Sequence, residues 1–502
     1  VDKAIGDTAI DYQALFESIG VHALIPASLA PWRPLLVEAL AFFLDHLPEA
    51  RLSALLAGQF ALDADTSAPA RAAALLAHCP TLHKLGQVVA RHHELDAALR
   101  QHLQQLESMP STLPVAPIVK RLRTQFADAA SLRIADTALA EGSVAVVLPF
   151  TWREEGRLRD GVFKVLKPAV ARHLAQELAV LPALADFLAA RGARLGLPAI
   201  DYHGHLASVQ QLLTQEIRLD VEQANMRAAA AQMSRDGAVF VPRLLPWCGP
   251  GVTSMERVHG SRVNDAELSR AQGGALAREM IAALLARPFW SQADPAIFHG
   301  DLHGGNLLLA EDGRLAVLDW SLTARLAKAE REAIVAIALG ALTLDQRQII
   351  DGLARLGLRD AHCAQRVQTV SDALDALVRS GPPVGFDWLV GLIDRLALQS
   401  AGGFGAQLAV FRKSWLSLAG VLRDLDADTA PDLPLFGVGL QRLLAELPAR
   451  LVAPADSRAF ATHVSTVDLI ALAGAAWPAS LRYWSRLLAT ARAAPLPVLS
   501  LR

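Results

Sequence analysis

The 502-residue chain has little cysteine, few aromatics and no surplus charge of either sign. Its three cysteines, Cys79, Cys248 and Cys363, stand far apart with no C-x-x-C spacing. That excludes a disulfide framework and a zinc ribbon and suits a reducing compartment, with each thiol read as a small buried hydrophobe. A formal charge of −2 with 6% aromatics leaves no basic, aromatic-bearing stretch to track phosphates, so nucleic acid is not an expected partner. No charge-free apolar run reaches the roughly 18 to 20 residues that a spanning helix needs, and no signal peptide is recognisable. The chain is therefore expected to be soluble or peripheral, and a mean hydropathy of +0.29 leaves room for contact with a membrane surface.

Hydrophobic residues make up 52% of the chain, enough for a large core and more than one domain. Alanine and leucine dominate, which points to a mostly helical α+β protein. Residues 1–125 read as helices, with "RPLLVEALAFFLDHL" at helical spacing. From about 126 to 257 the texture becomes β-rich with inserted helices. Two strand-like runs, "GSVAVVLPFTW" and "DGVFKVLKP", flank the charged loop "REEGRLRDG". Residues 258–427 read as a helical unit carrying a catalytic-looking loop, and 428–502 as a last helical segment. This order suits a bilobal, protein-kinase-like fold with an N-terminal helical extension and additional C-terminal helices.

The loop is "HGDLHGGNLLLAEDGRLAVLDW", residues 299–320. Asp312-Gly313 is a strong hairpin signal, because a two-residue type I′ turn needs positive φ at both central positions. Counting outward, that turn sets Asn306 directly opposite Asp319 and places Leu308 and Val317 on the same face. Opposed residues have Cβ atoms about 4.5 to 5.5 Å apart, near enough for an amide oxygen and a carboxylate to share one hard cation such as Mg²⁺. Asp301 precedes Asn306 by five, the catalytic-loop spacing of kinases, in which the Asp acts as base or acceptor-orienting carboxylate and the Asn binds metal. His299 and His303, four apart, also admit zinc, but zinc wants a third nitrogen or sulfur ligand. A purely structural hairpin is the remaining alternative.

"VFKVLKP" alternates as a strand and sets Lys164 among apolar neighbours, where its ammonium needs an anionic partner. A strand lysine that pairs nucleotide phosphates is the companion of a downstream Asp/Asn/Asp set, so the two together predict binding of ATP or ADP with Mg²⁺. Lys167, beside Pro168, is the second choice. Upstream, "LAEGSVAVV" offers Gly142 and Ser143 where a kinase has several glycines, so phosphate handling is expected to differ from that of ordinary protein kinases.

With H-x-D-x-H-x-G-N at His299 to Asn306, and K-x-G-Q at Lys84, Gly86 and Gln87 in "HKLGQVV", the chain resembles the UbiB atypical kinase-like family, the ADCK group of eukaryotes, over about residues 80 to 427. The resemblance implies that Ala140, Gly142 and Ser143 belong to an Ala-rich replacement of the Gly-rich loop, and that Met255 and Glu256 in "MERVHG" form the interlobe hinge. It implies that Glu216 matches the Glu of the family's E-x-D segment. It also makes Lys84, Gly86 and Gln87 regulators of access rather than of chemistry. The function implied is an ATPase or atypical phosphoryl transferase supporting isoprenoid quinone (ubiquinone) biosynthesis, cytoplasmic and peripheral to the inner membrane, with a nucleotide and an isoprenoid lipid or membrane surface as partners.

The sequence departs from the family pattern at three points. Arg218 stands where the E-x-D aspartate belongs, unless Asp220 substitutes. "LDWS" replaces L-D-F-G, and "AEGS" is less alanine-rich than the family's loop. Glu177, on the helix after Lys164, is an alternative partner for the lysine. Two rival functions are a small-molecule kinase of the aminoglycoside phosphotransferase type and a non-catalytic lipid-binding scaffold with a relic nucleotide site. The segment "TVDLIALAGAAWPASLRYWSRLL" reads either as an interfacial helix or as one docked on the helical unit.

Overall fold

The computed structural model describes Phe16, residues 27–82 except 64, 114–127, 132–233 except 143 and 199, 237–380, 385–398, 404–425 and 431–493. The chain forms two compact units: Val1–Ala224 with Pro242–Arg257, and Asn225–Val241 with Val258–Arg502.

In the first unit, helices α1 (Arg33–Asp45), α2 (Glu49–Phe60), α3 (Ala68–His78) and α4 (Val115–Gln125) precede short strands β1 (Arg133–Ile134) and β2 (Ala140–Glu141). Strands β3 (Ala145–Glu154) and β4 (Arg157–Leu166) follow, then α5 (Val170–Arg194), α6 (Tyr202–Glu216) and α7 (Leu219–Gln232), which ends in the second unit. β3 and β4 pair from Ala145↔Leu166 to Glu154↔Arg157. The connection is a two-residue turn with Glu155 at φ 50 and Gly156 at φ 78, the twist that suits a hairpin. The charged stretch expected as a loop is therefore mostly strand. Its side chains are largely exposed while the backbone ladder continues beneath them.

The antiparallel sheet runs β1-β3-β4-β6, with β6 being Val252–Glu256, and β2 is attached to β3. Its buried face holds Phe150 and Phe163, stacked at 4.1 Å, beneath Trp152 and Trp247. A separate core joins α1 and α2 to α5 through Phe43, Leu55, Leu174 and Leu181.

In the second unit, β5 (Val239–Phe240) runs parallel to β10 in a four-stranded sheet of order β5-β10-β9-β7. Here β7 is Gly260–Arg262, β9 Leu307–Ala310 and β10 Leu315–Val317; β8 (Ala296–His299) and β11 (Thr323–Leu326) form a second, two-stranded sheet. Helix α8 (Arg270–Ile281) precedes these strands after β7. After β11 come α9 (Lys328–Leu342), α10 (Gln346–Arg355), α11 (Ala364–Ser380), α12 (Phe386–Leu398) and α13 (Ala406–Asp424). The chain then continues through α14 (Asp432–Val452), α15 (Thr466–Gly474) and α16 (Ala476–Ala493). Cys79 is buried, Cys248 is half-buried and donates to Leu245 O at 3.3 Å, and Cys363 is exposed. The reading of three buried thiols is corrected at Cys363, which sits in the turn before α11 rather than on an apolar face.

Candidate functional site

The motif stretch is an excursion closed at its neck. β8 ends at His299, which pairs with Thr323 at the start of β11, and Gly300 N–H donates to Leu322 O at 2.8 Å. His299 is 1% exposed. Its Nε2 donates to Leu318 O at 3.0 Å and its Nδ1 accepts from Asp301 N–H at 3.2 Å. Burial pushes its pKa down, so the ring is neutral and acts as a brace between Asp301 and the strand end before Asp319. With both nitrogens spent inside the protein, His299 is no zinc ligand, and the zinc alternative loses its first residue. His303 Nδ1 accepts from Gly305 N–H at 3.2 Å.

The hairpin forms, but in a register one residue away from the expected one. Leu307 pairs with Val317, Leu308 with Ala316 and Leu309 with Leu315, so Asn306 faces Leu318, whose N–H donates to Asn306 O at 2.8 Å. The connection is a three-residue loop, Glu311 to Gly313, with Gly313 at φ 82 and Ala310 N–H donating to Arg314 O at 2.8 Å. An odd loop shifts every facing pair, which corrects both the Asn306–Asp319 opposition and the Leu308–Val317 parity. Asp319 has left the ladder: its φ is 52, a left-handed conformation that aspartate tolerates better than most residues. Its Oδ1 accepts from Ser321 N–H at 3.2 Å.

The neighbours of Asp319 are pinned. Trp320 is 1% exposed, its indole donates to Val317 O at 3.1 Å and its ring meets His299 edge-on at 4.7 Å. Asn225 donates to Trp320 O at 2.9 Å and accepts from Arg325 at 2.7 Å. Trp320, anchored on both edges, thus stands at the phenylalanine position of an L-D-F-G segment, and Ser321 stands at the glycine position.

Asn306 Nδ2 donates to Asp301 O at 3.1 Å, which orients its amide oxygen as the end offered to a cation. Among the described residues no group of three or more His, Cys, Asp or Glu forms a metal cage. An amide oxygen and a carboxylate are the donor types that a magnesium arriving with phosphates and water would take.

Sequence reasoning missed Lys413. It stands on α13, 2.8 Å from Asp301 Oδ1, and its neighbour Ser414 donates to His299 O, so α13 is registered against the motif by two adjacent side chains. No local spacing signals a partner from so far along the chain.

In the first unit, Lys164 pairs with Glu222 of α7 at 2.7 Å, with side chains 15% and 1% exposed. The expected partners are elsewhere. Glu177 is fully buried, accepts from Thr81 N–H at 2.8 Å and Arg51 at 3.3 Å, and ties α5 to the N-terminal helices; desolvation pushes its pKa up. Glu216 ends α6, half-buried, and Asp220 pairs with Arg218 at 2.7 Å. The signal for Glu222 was available: it lies three residues after buried Leu219 and four before buried Met226, so it shares their helix face and needs a cation there.

Ala140 lies in β2, and Gly142 N–H donates to Ala145 O at 2.8 Å. Beside them Lys167, the second-choice lysine, pairs with Glu141 at 2.6 Å. Met255 and Glu256 close β6, Met255 opposite Val162, and Glu256 accepts from Arg243 N–H at 3.0 Å; the first unit ends one residue later, at Arg257. Ser143, Lys84, Gly86 and Gln87 lie outside the described residues.

The sequence model of the ABC1 atypical kinase-like domain matches residues 116–353. Among curated proteins, the chain is similar to the chloroplast Activity of bc1 complex kinase 1 of Arabidopsis thaliana, at 25% identity over 55% of this chain and 41% of that protein. It is also similar to a probable protein kinase UbiB of Xanthomonas axonopodis, at 24% identity over 73% of this chain and 68% of the relative. The chain thus spans about two fifths of the length of the Arabidopsis kinase. A Mycobacterium tuberculosis protein solved in complex with erythromycin aligns at 20% identity, TM-score 0.44, over 69% of this chain and 87% of that one.

Proposed function

Because the chain carries an ABC1 atypical kinase-like domain and has UbiB and its chloroplast counterparts as relatives, we propose that it binds ATP or ADP with Mg²⁺ and works as an atypical kinase or ATPase. The observation that carries this reading is the Lys164–Glu222 pair at 2.7 Å. A strand lysine held by a helix glutamate is the arrangement kinases use to present an ammonium to the α- and β-phosphates.

In this reading Lys164 takes the phosphates, while the Asn306 amide oxygen and the Asp319 carboxylate hold the magnesium, which neutralises phosphate charge when bound. Asp301 orients the attacking hydroxyl or water and accepts its proton. Lys413, paired with Asp301, sets a positive charge beside the acceptor. Phosphoryl transfer asks for positioning and charge compensation more than for covalent chemistry, and these residue types supply both. The Ala140 to Ser143 segment, with fewer glycines, covers the phosphates less freely than a Gly-rich loop; Met255 and Glu256 serve as hinge, Glu216 belongs with the E-x-D segment, and Lys84, Gly86 and Gln87 regulate access.

We assign the protein a role at a lipid surface, in support of isoprenoid quinone biosynthesis. Among the described residues, 13 of the 21 exposed large hydrophobics lie between Leu433 and Trp484. On α14, Leu433, Phe436, Leu440, Leu444 and Leu447 follow each other at three or four residues, one face of the helix. Trp477, Tyr483 and Trp484 are exposed on α16, and such rings favour the membrane–water boundary. No helix is long and apolar enough to cross a membrane among the described residues, so the contact would be superficial.

Thermal stabilisation by ATP and ADP, with and without Mg²⁺, tests the nucleotide reading. A Mg²⁺-dependent rise in melting temperature is expected, and no shift with either nucleotide would end it. Repeating the titration with anionic phospholipid vesicles, followed by co-flotation, tests the surface reading separately.

A further inference from the structure

We infer that the Glu141–Lys167 ion pair braces, from behind, the loop that covers the nucleotide phosphates, and that it sets how long a bound nucleotide stays. The two side chains are positioning residues and do not touch the ligand. The inference rests on the nucleotide reading given above for Lys164 and the Ala140 to Ser143 segment.

Strand register separates the two faces of the sheet at this corner. Ala140 pairs with Val147, Val147 with Lys164 and Lys164 with Thr253, so Ala140 and Lys164 share one face. Glu141 pairs with Val146, and Val146 with Val165. Both valines are fully buried and pack with Ile118 and Leu122 of α4. Glu141 therefore belongs to the face opposite Lys164. Its carboxylate meets Lys167 at 2.6 Å, with both side chains 15% exposed, so water screens this pair less than an ordinary surface bridge. Arg121 of α4 reaches the same corner and donates to Leu166 O at 3.2 Å.

Three further contacts fasten the loop. Lys167 N–H donates to Val144 O at 2.9 Å, and Gly142 N–H donates to Ala145 O at 2.8 Å. Val144, Ala145 and Val170, the first residue of α5, form a small buried cluster. Glycine freedom is not what shapes the turn: Gly142 has no left-handed backbone, and a Cβ added there would meet Ala145 O at 3.6 Å, an ordinary contact. The loop is thus set by the protein's own contacts before a ligand arrives. Such preordering lowers the cost of binding and shows mainly in the dissociation rate. Of these contacts, only the ion pair depends on side-chain charge, which makes it the one that substitution can release while the backbone bonds and the apolar cluster stay.

The test follows the release of N-methylanthraniloyl-ADP with Mg²⁺ from the full chain by stopped flow, together with hydrogen exchange of residues 140–147 without nucleotide. Glu141→Gln and Lys167→Met should each speed dissociation roughly three- to tenfold and speed exchange of the segment. The double change should be no worse than either single one, and the exchanged pair Glu141→Lys with Lys167→Glu should recover most of the loss. A pair that serves stability alone would lower the melting temperature in the single variants and leave dissociation unmoved, which would overturn the inference. Unchanged exchange in both single variants would overturn it as well. A wild type that binds no nucleotide would instead remove the reading beneath it, while the exchange measurement still decides whether the brace holds the loop.

Discussion

Lys413 Nζ lies 2.8 Å from Asp301 Oδ1. The carboxylate that the motif nominates for the acceptor is thus already paired with a cation delivered by a helix outside the motif. Such a lysine can stabilise charge that develops when the acceptor attacks the phosphoryl group, and it keeps the carboxylate in one orientation.

Lys413→Met should therefore lower turnover about a hundredfold while nucleotide affinity stays within twofold. Lys413 is 41% exposed, so the melting temperature should barely move. Asp301→Asn should cost about 10² to 10⁴ in turnover, and the double variant should be no worse than Asp301→Asn alone, because the two groups act as a unit. Steady-state ATP turnover with parallel nucleotide titrations would check this; full activity in Lys413→Met would show that the pair is only a surface bridge.

Glu222 is buried to 1% exposure and Lys164 to 15%. Removing one member of such a pair leaves the other desolvated without compensation. Glu222→Ala is expected to cost about 3 kcal/mol of stability and to weaken nucleotide binding, whereas Lys164→Met together with Glu222→Leu should recover stability without recovering nucleotide. Denaturant midpoints and nucleotide titrations on the four combinations separate the two effects. If the double change restored binding, Lys164 would not be the phosphate lysine.

Asp319→Asn deletes the charged member of the proposed magnesium pair. Nucleotide affinity should then become independent of Mg²⁺, while binding without metal stays near the wild-type value. Asn306→Asp is the informative companion: it keeps an oxygen but loses the amide donor to Asp301 O, so it should preserve metal dependence and lower turnover. A Mg²⁺ titration that looks the same in Asp319→Asn and wild type would remove Asp319 from the site.

The sequence carried the α+β class and the composition of the motif because both follow from local pattern: alternation around Lys164, helical spacing elsewhere, and turn residues at Asp312-Gly313. It misplaced relationships that a one-residue change in loop geometry decides. A three-residue loop in place of a two-residue turn moved Asn306 from Asp319 to Leu318, and the left-handed backbone at Asp319 then freed that residue from the ladder altogether. Partners from distant elements were the other blind spot. Lys413 had no local cue, whereas Glu222 was visible as a carboxylate on the apolar face of its helix, although the sequence reading names Glu177 as a partner for Lys164. The exposed stripe on α14 could likewise have been read from its three-four spacing, but which face of a helix meets the core is settled only by what packs beside it, here Trp290, whose indole donates to Leu435 O at 2.8 Å.

Acid sensitivity follows from the buried histidines. In the unfolded chain His463 titrates near 6.5; in the fold, burial lowers its pKa to about 4. Above pH 6.5 both states are neutral and the stability is fully present. Between 6.5 and 4 the unfolded state takes the proton and the folded state refuses it, so stability is lost as the pH falls. The loss from this residue should be about 2 kcal/mol by pH 5 and about 3 kcal/mol by pH 4. His299, whose pKa burial also lowers, adds in the same direction. Denaturant midpoints measured from pH 7 to pH 5, above the range of ordinary carboxylates, should fall steadily, and His463→Gln should flatten the slope even if it lowers the whole curve. A wild-type midpoint that is constant across that interval would show that the fold does not lower the pKa of His463.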